Sequence, residues 1–281
     1  MLSSVKQHVP LRFRVLLRQA LERSRRAAYR LPHLFDPLVP PDSLMFVGGD
    51  IGNFKRMGVK WCETLTNVGG LKPHDRVLEV GCGVGRMAVP LTRYLAPPGS
   101  YDGFEIVRAG VEWCQNKVTP RFPHFRFRHA DIYNKHYNPG GKLAAAEYVF
   151  PYPDDSFDFV FLTSVFTHML PADVQHYLGE TRRVLAPGGR CLITYFLLNE
   201  ESLRLMEQGG AAPERVFRYE LGGCRVVKED APEAAVAYEE SAVREMYERA
   251  GLSIEEPPLY GGWSGRKDAR HGQDIIVARK A

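Results

Sequence analysis

Residues 77–86 read VLEVGCGVGR, an apolar run that closes on an acid and then on three glycines at alternate positions. A short apolar run bounded by glycine is a buried strand. A glycine-rich turn directly after it lets a ligand reach the main chain at contact distance. From Asp75 onward such runs alternate with helical spacings. RVLEVGC precedes helical spacing over Arg86–Leu95, and YDGFEI precedes a helix over Val107–Val118. FRFRHADI alternates at period two as a third strand, and FDFVFLTS is a fourth, buried one. A helix over Asp173–Leu185 ends at Pro187-Gly188-Gly189, and RCLITYFL follows as the fifth strand. A helix is expected ahead of these at Val59–Asn67. The chain closes with a helix over Ser241–Ala250, a strand at Leu252–Ile254 and DIIVARK as a final strand. This βαβ rhythm predicts an α/β fold with a parallel sheet and right-handed crossovers.

Two stretches break the rhythm, residues 133–153 and 198–238, and both are expected to form lid-like insertions that exclude water and choose a substrate. The remaining bounds are broad. Of the 281 residues 44% are hydrophobic and 25% charged, enough for a full core. No run approaches the ~20 apolar residues of a membrane helix. The N-terminus lacks the continuous apolar segment of a secretory signal. Cys62, Cys82, Cys114, Cys191 and Cys224 are widely spaced and form no zinc pattern or disulfide framework. A cytoplasmic setting is expected, with no metal.

Charge is uneven. Residues 1–31 hold eight basic side chains against Glu22 alone, so with a whole-chain charge of +4 the other 250 residues are net −3. Residues 1–44 are read as a basic amphipathic helical arm and a proline-rich connector, and 45–281 as the main domain. Such an arm can dock on its own body or a second subunit, giving a homodimer, lie on an anionic membrane surface, or bind nucleic acid.

The spacing of the glycine turn narrows its ligand. A dinucleotide site requires G-x-G-x-x-G, and counted from Gly81 the third glycine falls on Arg86. The pattern here is instead Glu79-x-Gly81-x-Gly83-x-Gly85. With its acid, it resembles the class I S-adenosylmethionine-dependent methyltransferases, of the bacterial small-molecule type, over most of residues 45–280. The resemblance implies a Rossmann-like three-layer sandwich with a seven-stranded, mostly parallel sheet. It implies S-adenosylmethionine as cofactor and S-adenosylhomocysteine as product. Glu105 would take the ribose hydroxyls, with Ile106 beside the adenine, and Asp131-Ile132 would hold the adenine ring. Gly81, Cys82 and Gly83 would bound the methionine portion, with Glu79 beneath them and Thr163 at the end of the fourth strand. The segment VGGDIGNFKRMG is similar to one that covers the methionine end in such enzymes. In it Phe54 would wall the pocket and Arg56 would meet the carboxylate.

The acceptor is less legible. THR-SER-VAL-PHE at 163–166 differs from the Asp/Asn-Pro-Pro-aromatic run of enzymes that methylate base nitrogen, so DNA is not expected. His168, just past the fourth strand, is placed to take a proton from a hydroxyl, while His129 reads as structural. Tyr148, Tyr152 and Tyr195 are the expected substrate-side residues. A small organic acceptor is expected, methylated on a hydroxyl of a sugar or secondary metabolite. Methylation of protein or RNA, or a scaffold that keeps only the fold, are the alternatives.

Overall fold

The computed structural model describes residues 36–46 and 50–281. The basic arm, the start of the connector and Val47–Gly49 lie outside the described residues. Helix α1 (Ile51–Asn67) starts eight residues before the expected helix, because the Asp50 side chain caps it by accepting from the Asn53 amide at 2.8 Å. Gly52 and Gly58 lie inside it, although glycine disfavours a helix interior. Gly58 is there for contact instead, since a Cβ at that position would lie 2.5 Å from the Arg86 carbonyl oxygen.

Strand β1 (Arg76–Val80) leads through the glycine turn to α2 (Ala88–Leu91), a single helical turn. The expected Arg86–Leu95 helix is shortened to this turn: Pro90 inside it has no amide to donate to the Arg86 carbonyl, and from Arg93 the chain passes to i→i−3 bonds. There follow β2 (Ser100–Glu105), α3 (Arg108–Lys117), β3 (Phe125–His129), β4 (Phe157–Leu162), α4 (Pro171–Val184) and β5 (Leu185–Tyr195). Beyond them come β6 (Leu197–Leu198), α5 (Glu200–Glu207), β7 (Tyr219–Leu221), β8 (Cys224–Val226), β9 (Val236–Glu239), α6 (Glu240–Ala250), β10 (Leu252–Ile254) and β11 (Asp274–Lys280).

The main sheet has seven strands in the order β10-β11-β5-β4-β1-β2-β3. Its pairs are parallel except those of β11, which runs antiparallel to both neighbours. The seven-stranded, mostly parallel Rossmann-like sandwich is therefore observed. One face packs Val77, Phe159 and Phe161 against Trp61 and Leu65 of α1 and Val111 and Cys114 of α3. The other packs Leu78, Val80, Val160 and Leu162 against Val174 and Leu178 of α4 and Val243 and Tyr247 of α6. With both faces covered, the central strand β4 is apolar over Phe159–Leu162, whereas β3 at the edge alternates buried and exposed residues.

The two insertions differ. Residues 133–153 form no α-helix, and their aromatic side chains cover the sheet instead: Tyr148 and Phe150 pack on Phe104, at ring separations of 5.5 and 5.0 Å. Residues 198–238 are not an irregular loop. They carry α5 and most of a second sheet, β6-β9-β8-β7, with its own small core around Phe196, Phe217 and Trp263. Gly222-Gly223 is the two-residue hairpin turn between β7 and β8, both residues at positive φ.

Asp274 at the start of β11 joins the two units. Its buried carboxylate accepts from the Leu197 amide at 2.7 Å, the Gly261 amide at 2.6 Å and the Trp263 indole at 2.7 Å. Burial nevertheless pushes its pKa up to about 6.

Candidate functional site

Chain order turns back at β1: β2 and β3 lie on one side of it and β4 and β5 on the other. At such a switch point the loops leaving adjacent strands diverge and open a crevice at the carboxyl ends. A cavity of about 180 Å³ lies there, bounded by the ends of β1, β2 and β4.

The glycine turn forms its floor. The amides of Gly81 and Cys82 both donate to the Phe104 carbonyl, at 2.9 and 3.1 Å, which anchors the turn to β2. Gly81 has φ +77°, and a Cβ there would lie 2.6 Å from the Val165 side chain across the cavity. A side chain at this point would therefore be strained and would close the crevice.

Glu105 ends β2 with its carboxylate almost wholly buried. It accepts from the Gly83 amide through Oε2 at 2.8 Å, and from the Ile106 and Val107 amides through Oε1 at 2.8 and 2.9 Å. Burial raises its pKa, and the three amides oppose that. A carboxylate has about four lone-pair sites, so one remains on Oε2 for a ligand hydroxyl.

Three buried polar atoms around the turn have no hydrogen-bond partner: Glu79 Oε1, Arg86 Nε and Thr163 Oγ1. Glu79 lies within β1, completely buried, and takes the Tyr101 hydroxyl on its other oxygen. Burial pushes its pKa up to about 8, against the opposing effects of the Tyr101 bond and the Arg86 charge. Arg86 and Thr163 line the cavity. Burial lowers the Arg86 pKa, and Glu79 works against it. Orphaned buried groups are costly in a protein at rest. Arg86 Nε and Thr163 Oγ1 belong to the cavity lining, where a polar ligand would satisfy them.

Ser164 extends that edge in a left-handed conformation, φ +58°, rare for a side chain of its type. The conformation is held by its amide donating to Thr194 Oγ1 at 2.8 Å and its hydroxyl to Gln273 Oε1 at 3.0 Å.

His168 closes a 3-10 turn, Phe166–His168, on the opposite wall. Its Nδ1 lies 2.9 Å from the Glu233 carbonyl oxygen. A carbonyl accepts only, so the proton sits on Nδ1 and Nε2 keeps its lone pair. Burial lowers the His168 pKa and Arg215 and His136 lower it further, while the Glu233 carbonyl works the other way. The ring of Tyr137 stands edge-on to it at 6.2 Å.

Of the residues expected from sequence, Gly81, Cys82, Gly83, Glu105, Ile106, Ile132, Thr163 and His168 meet at this cavity. Others do not. Asp131 turns away to within 4.0 Å of Lys142, and its carbonyl accepts from the Lys142 and Leu143 amides. Arg56 is exposed on α1 and donates to Asn53, and Phe54 is packed in the interior. Tyr195 is fully buried and bonded to Tyr247 at 3.0 Å. Tyr152 packs on Phe157 at 4.9 Å, and Tyr148 faces a separate groove beside β3. The tyrosines that line the cavity are Tyr133, Tyr137 and Tyr177. Arg86 was legible as a departure from the dinucleotide pattern but not as a cavity residue. Tyr133, Tyr177 and Glu233 carried no signal, because they come from three distant segments. Among the described residues no group of three or more His, Cys, Asp or Glu could hold a metal ion, and no helix is long and apolar enough to cross a membrane.

Residues 78–193 match a family model described as a methyltransferase domain. The phthiotriol/phenolphthiotriol dimycocerosates methyltransferase 1 of Mycobacterium ulcerans is 37% identical over 119 residues, 42% of this chain and 36% of that protein. A tRNA N(3)-cytidine methyltransferase of Gallus gallus is 30% identical over 126 residues, 42% of this chain and 29% of that one. The chain thus spans about a third of the length of these relatives. The crystal structure of the 1,6-didemethyltoxoflavin-N1-methyltransferase of Burkholderia thailandensis, with bound 1,6-didemethyltoxoflavin and S-adenosylhomocysteine, shares the fold. Its TM-score is 0.52 at 17% identity, over 81% of this chain and 79% of that one. The matched segment, residues 78–193, carries the central strands of the sheet, and it is this segment that is similar to a methyltransferase domain.

Proposed function

We propose that the protein binds S-adenosylmethionine in this cavity and moves its methyl group to a hydroxyl of a small organic acceptor. The observation that carries the reading is the set of unpartnered polar groups at the glycine turn. An amino-acid head group answers them: its carboxylate suits Arg86, and its ammonium suits Thr163 and Glu79. The free lone pair of Glu105 suits one hydroxyl of a ribose, with Ile106 and Ile132 beside the base. A dinucleotide would bring a pyrophosphate instead, and Arg86 stands where its third glycine is needed.

Bound S-adenosylmethionine supplies a methyl group already activated on a sulfonium, which leaves as a neutral thioether. What remains for the chain is alignment and one proton. His168 Nε2 takes the acceptor hydroxyl's proton as the new O–C bond forms, and the Glu233 carbonyl steadies the imidazolium through Nδ1. The mycobacterial relative, named for a triol, supports a hydroxyl acceptor.

The test is a calorimetric titration with S-adenosylhomocysteine, beside Glu105→Ala and an NADH control. Saturable binding, at least tenfold weaker in the variant and absent for NADH, is expected. No binding to folded protein, or binding of NADH in its place, would overturn the reading. A second reading, an RNA acceptor, draws on the basic residues 1–31 and the tRNA-methylating relative. It requires an RNA affinity that falls steeply with salt.

A further inference from the structure

We infer that Gln273, although it lies outside the cavity lining, is a positioning residue for the cofactor: its side chain holds Ser164 in the left-handed conformation that sets Val165 over the glycine turn. This rests on the reading of the cavity just given. Strand β4 ends at Leu162, and the 3-10 turn that carries His168 begins at Phe166. Thr163, Ser164 and Val165 span the gap, and all three line the cavity. Ser164 has φ +58° while Val165 is right-handed at φ −97°, so the chain reverses its bend at one residue. The reversal brings Val165 Cγ2 to 2.6 Å from where a Cβ on Gly81 would stand. It also leaves Thr163 Oγ1 buried in the wall with no partner of its own. The wall facing the glycine turn is therefore shaped by the backbone of Ser164.

A left-handed residue with a side chain is costly, because its Cβ crowds the following carbonyl oxygen; glycine, lacking that atom, adopts the conformation freely. Serine at this point needs anchors, and it has two. Its amide donates to Thr194 Oγ1 on β5, and its hydroxyl donates to Gln273 Oε1 at 3.0 Å. Thr194 is wholly buried in the sheet. Gln273 reaches the site because β11 runs antiparallel to β5, so the start of β11 lies beside the carboxyl ends of the parallel strands. Its main chain is fixed on both sides. Asp274, next to it, is tied to Leu197, Gly261 and Trp263, and a Cβ on Gly261 would lie 2.4 Å from the Gln273 carbonyl. The hydroxyl explains why serine stands where glycine would be easier: only a side chain can be held from β11.

The experiment is a calorimetric titration of the full chain with S-adenosylhomocysteine. Gln273→Met keeps the length of the side chain and removes the acceptor, and it is expected to weaken binding about three- to tenfold, the size of one neutral hydrogen bond. Gln273→Glu restores an acceptor oxygen and is expected to bind within about twofold of the original protein. The pair of changes is decisive. On a Ser164→Gly background the conformation needs no anchor, so adding Gln273→Met is expected to change affinity by less than about 1.5-fold. General damage to the fold would not be reversed by a change 109 positions away. Four results each overturn the inference: unweakened binding in Gln273→Met, a loss of equal size on the Ser164→Gly background, no binding at all in Ser164→Gly, or Gln273→Glu as weak as Gln273→Met. If the original protein binds no S-adenosylhomocysteine, the failure belongs to the cofactor reading beneath it.

Discussion

The two ends of the cavity are built by different means. At the glycine turn the chain binds with its main chain: Glu105 is fixed by the amides of Gly83, Ile106 and Val107, and the turn by the Phe104 carbonyl. Those partners lie at or just beyond the ends of two adjacent strands of one sheet. At the other end the groups are side chains, and His168 depends on a carbonyl 65 residues away, in the Pro232–Ala234 turn that precedes β9 of the small sheet. A site made of backbone tolerates many side chains around it and keeps one ligand. A site assembled from insertions can change its ligand while the sheet stays as it is.

The comparison breaks most sharply at His168. His168→Ala should lower methyl transfer by roughly 10²–10⁴-fold, the usual range for a general base, and leave S-adenosylhomocysteine affinity unchanged. In the unaltered protein transfer should fall in acid, with a midpoint below 6.5 because burial lowers the His168 pKa. Transfer is full above that midpoint, where Nε2 is unprotonated. Kinetics and binding measured on one preparation check both statements, and an equal loss of cofactor binding would dissolve the division into two ends.

The next effect in size is at the joint between the sheets. Asp274→Ala leaves the Leu197 and Gly261 amides and the Trp263 indole without their acceptor. A loss of about 3 kcal/mol is expected for removing one member of such a buried network. Denaturant unfolding reads it. If the ends are separable, protein that remains folded should lose acceptor binding before cofactor binding, since Asp274 ties down the insertion.

The same division explains what could be read from sequence. Glycine spacing, the acid that ends β2 and the helix-strand rhythm are local properties, so the fold and the residues at three strand ends were legible. The period of Ile51–Asn67 was masked by Gly58, whose reason is a carbonyl 28 positions later. Tyr148, Tyr152 and Tyr195 suggested an acceptor pocket because aromatic residues near strand ends suit one. Which face of the sheet each would cover depends on the missing helix between β3 and β4, and no periodicity reports that. Glu233 and Tyr177 were silent because their role arises only from folding.

A smaller effect tests the backbone-built end itself. Arg86→Met keeps the stem that packs beside the turn and removes the guanidinium. A hydrogen bond to a charged group contributes about 1.5–3 kcal/mol, so S-adenosylhomocysteine binding should weaken about tenfold or more. An analogue lacking the carboxylate should bind the variant and the original equally. If the analogue is weakened as much, Arg86 acts on the turn and not on the ligand.

The smallest effect is at Glu79, where the two requirements on the same end oppose one another. Its folded pKa of about 8 lies above the ordinary 4.5, so the folded state holds the proton more tightly than the unfolded one. The stability this gives is full below about pH 4.5 and is lost as pH rises through about 8. Glu79→Gln keeps an oxygen for the Tyr101 hydroxyl and removes the titration. Without ligand, the variant should melt with the original protein near pH 5 and above it by a few degrees near pH 8. Binding should show the reverse. An ammonium favours the ionised carboxylate, so S-adenosylhomocysteine affinity of the original should rise a few-fold between pH 6 and pH 8 and stay flat in the variant. A variant that gains stability yet keeps the pH-dependent affinity would place the ammonium elsewhere, on Thr163 alone, and Glu79 would then serve only to hold Tyr101 under the turn.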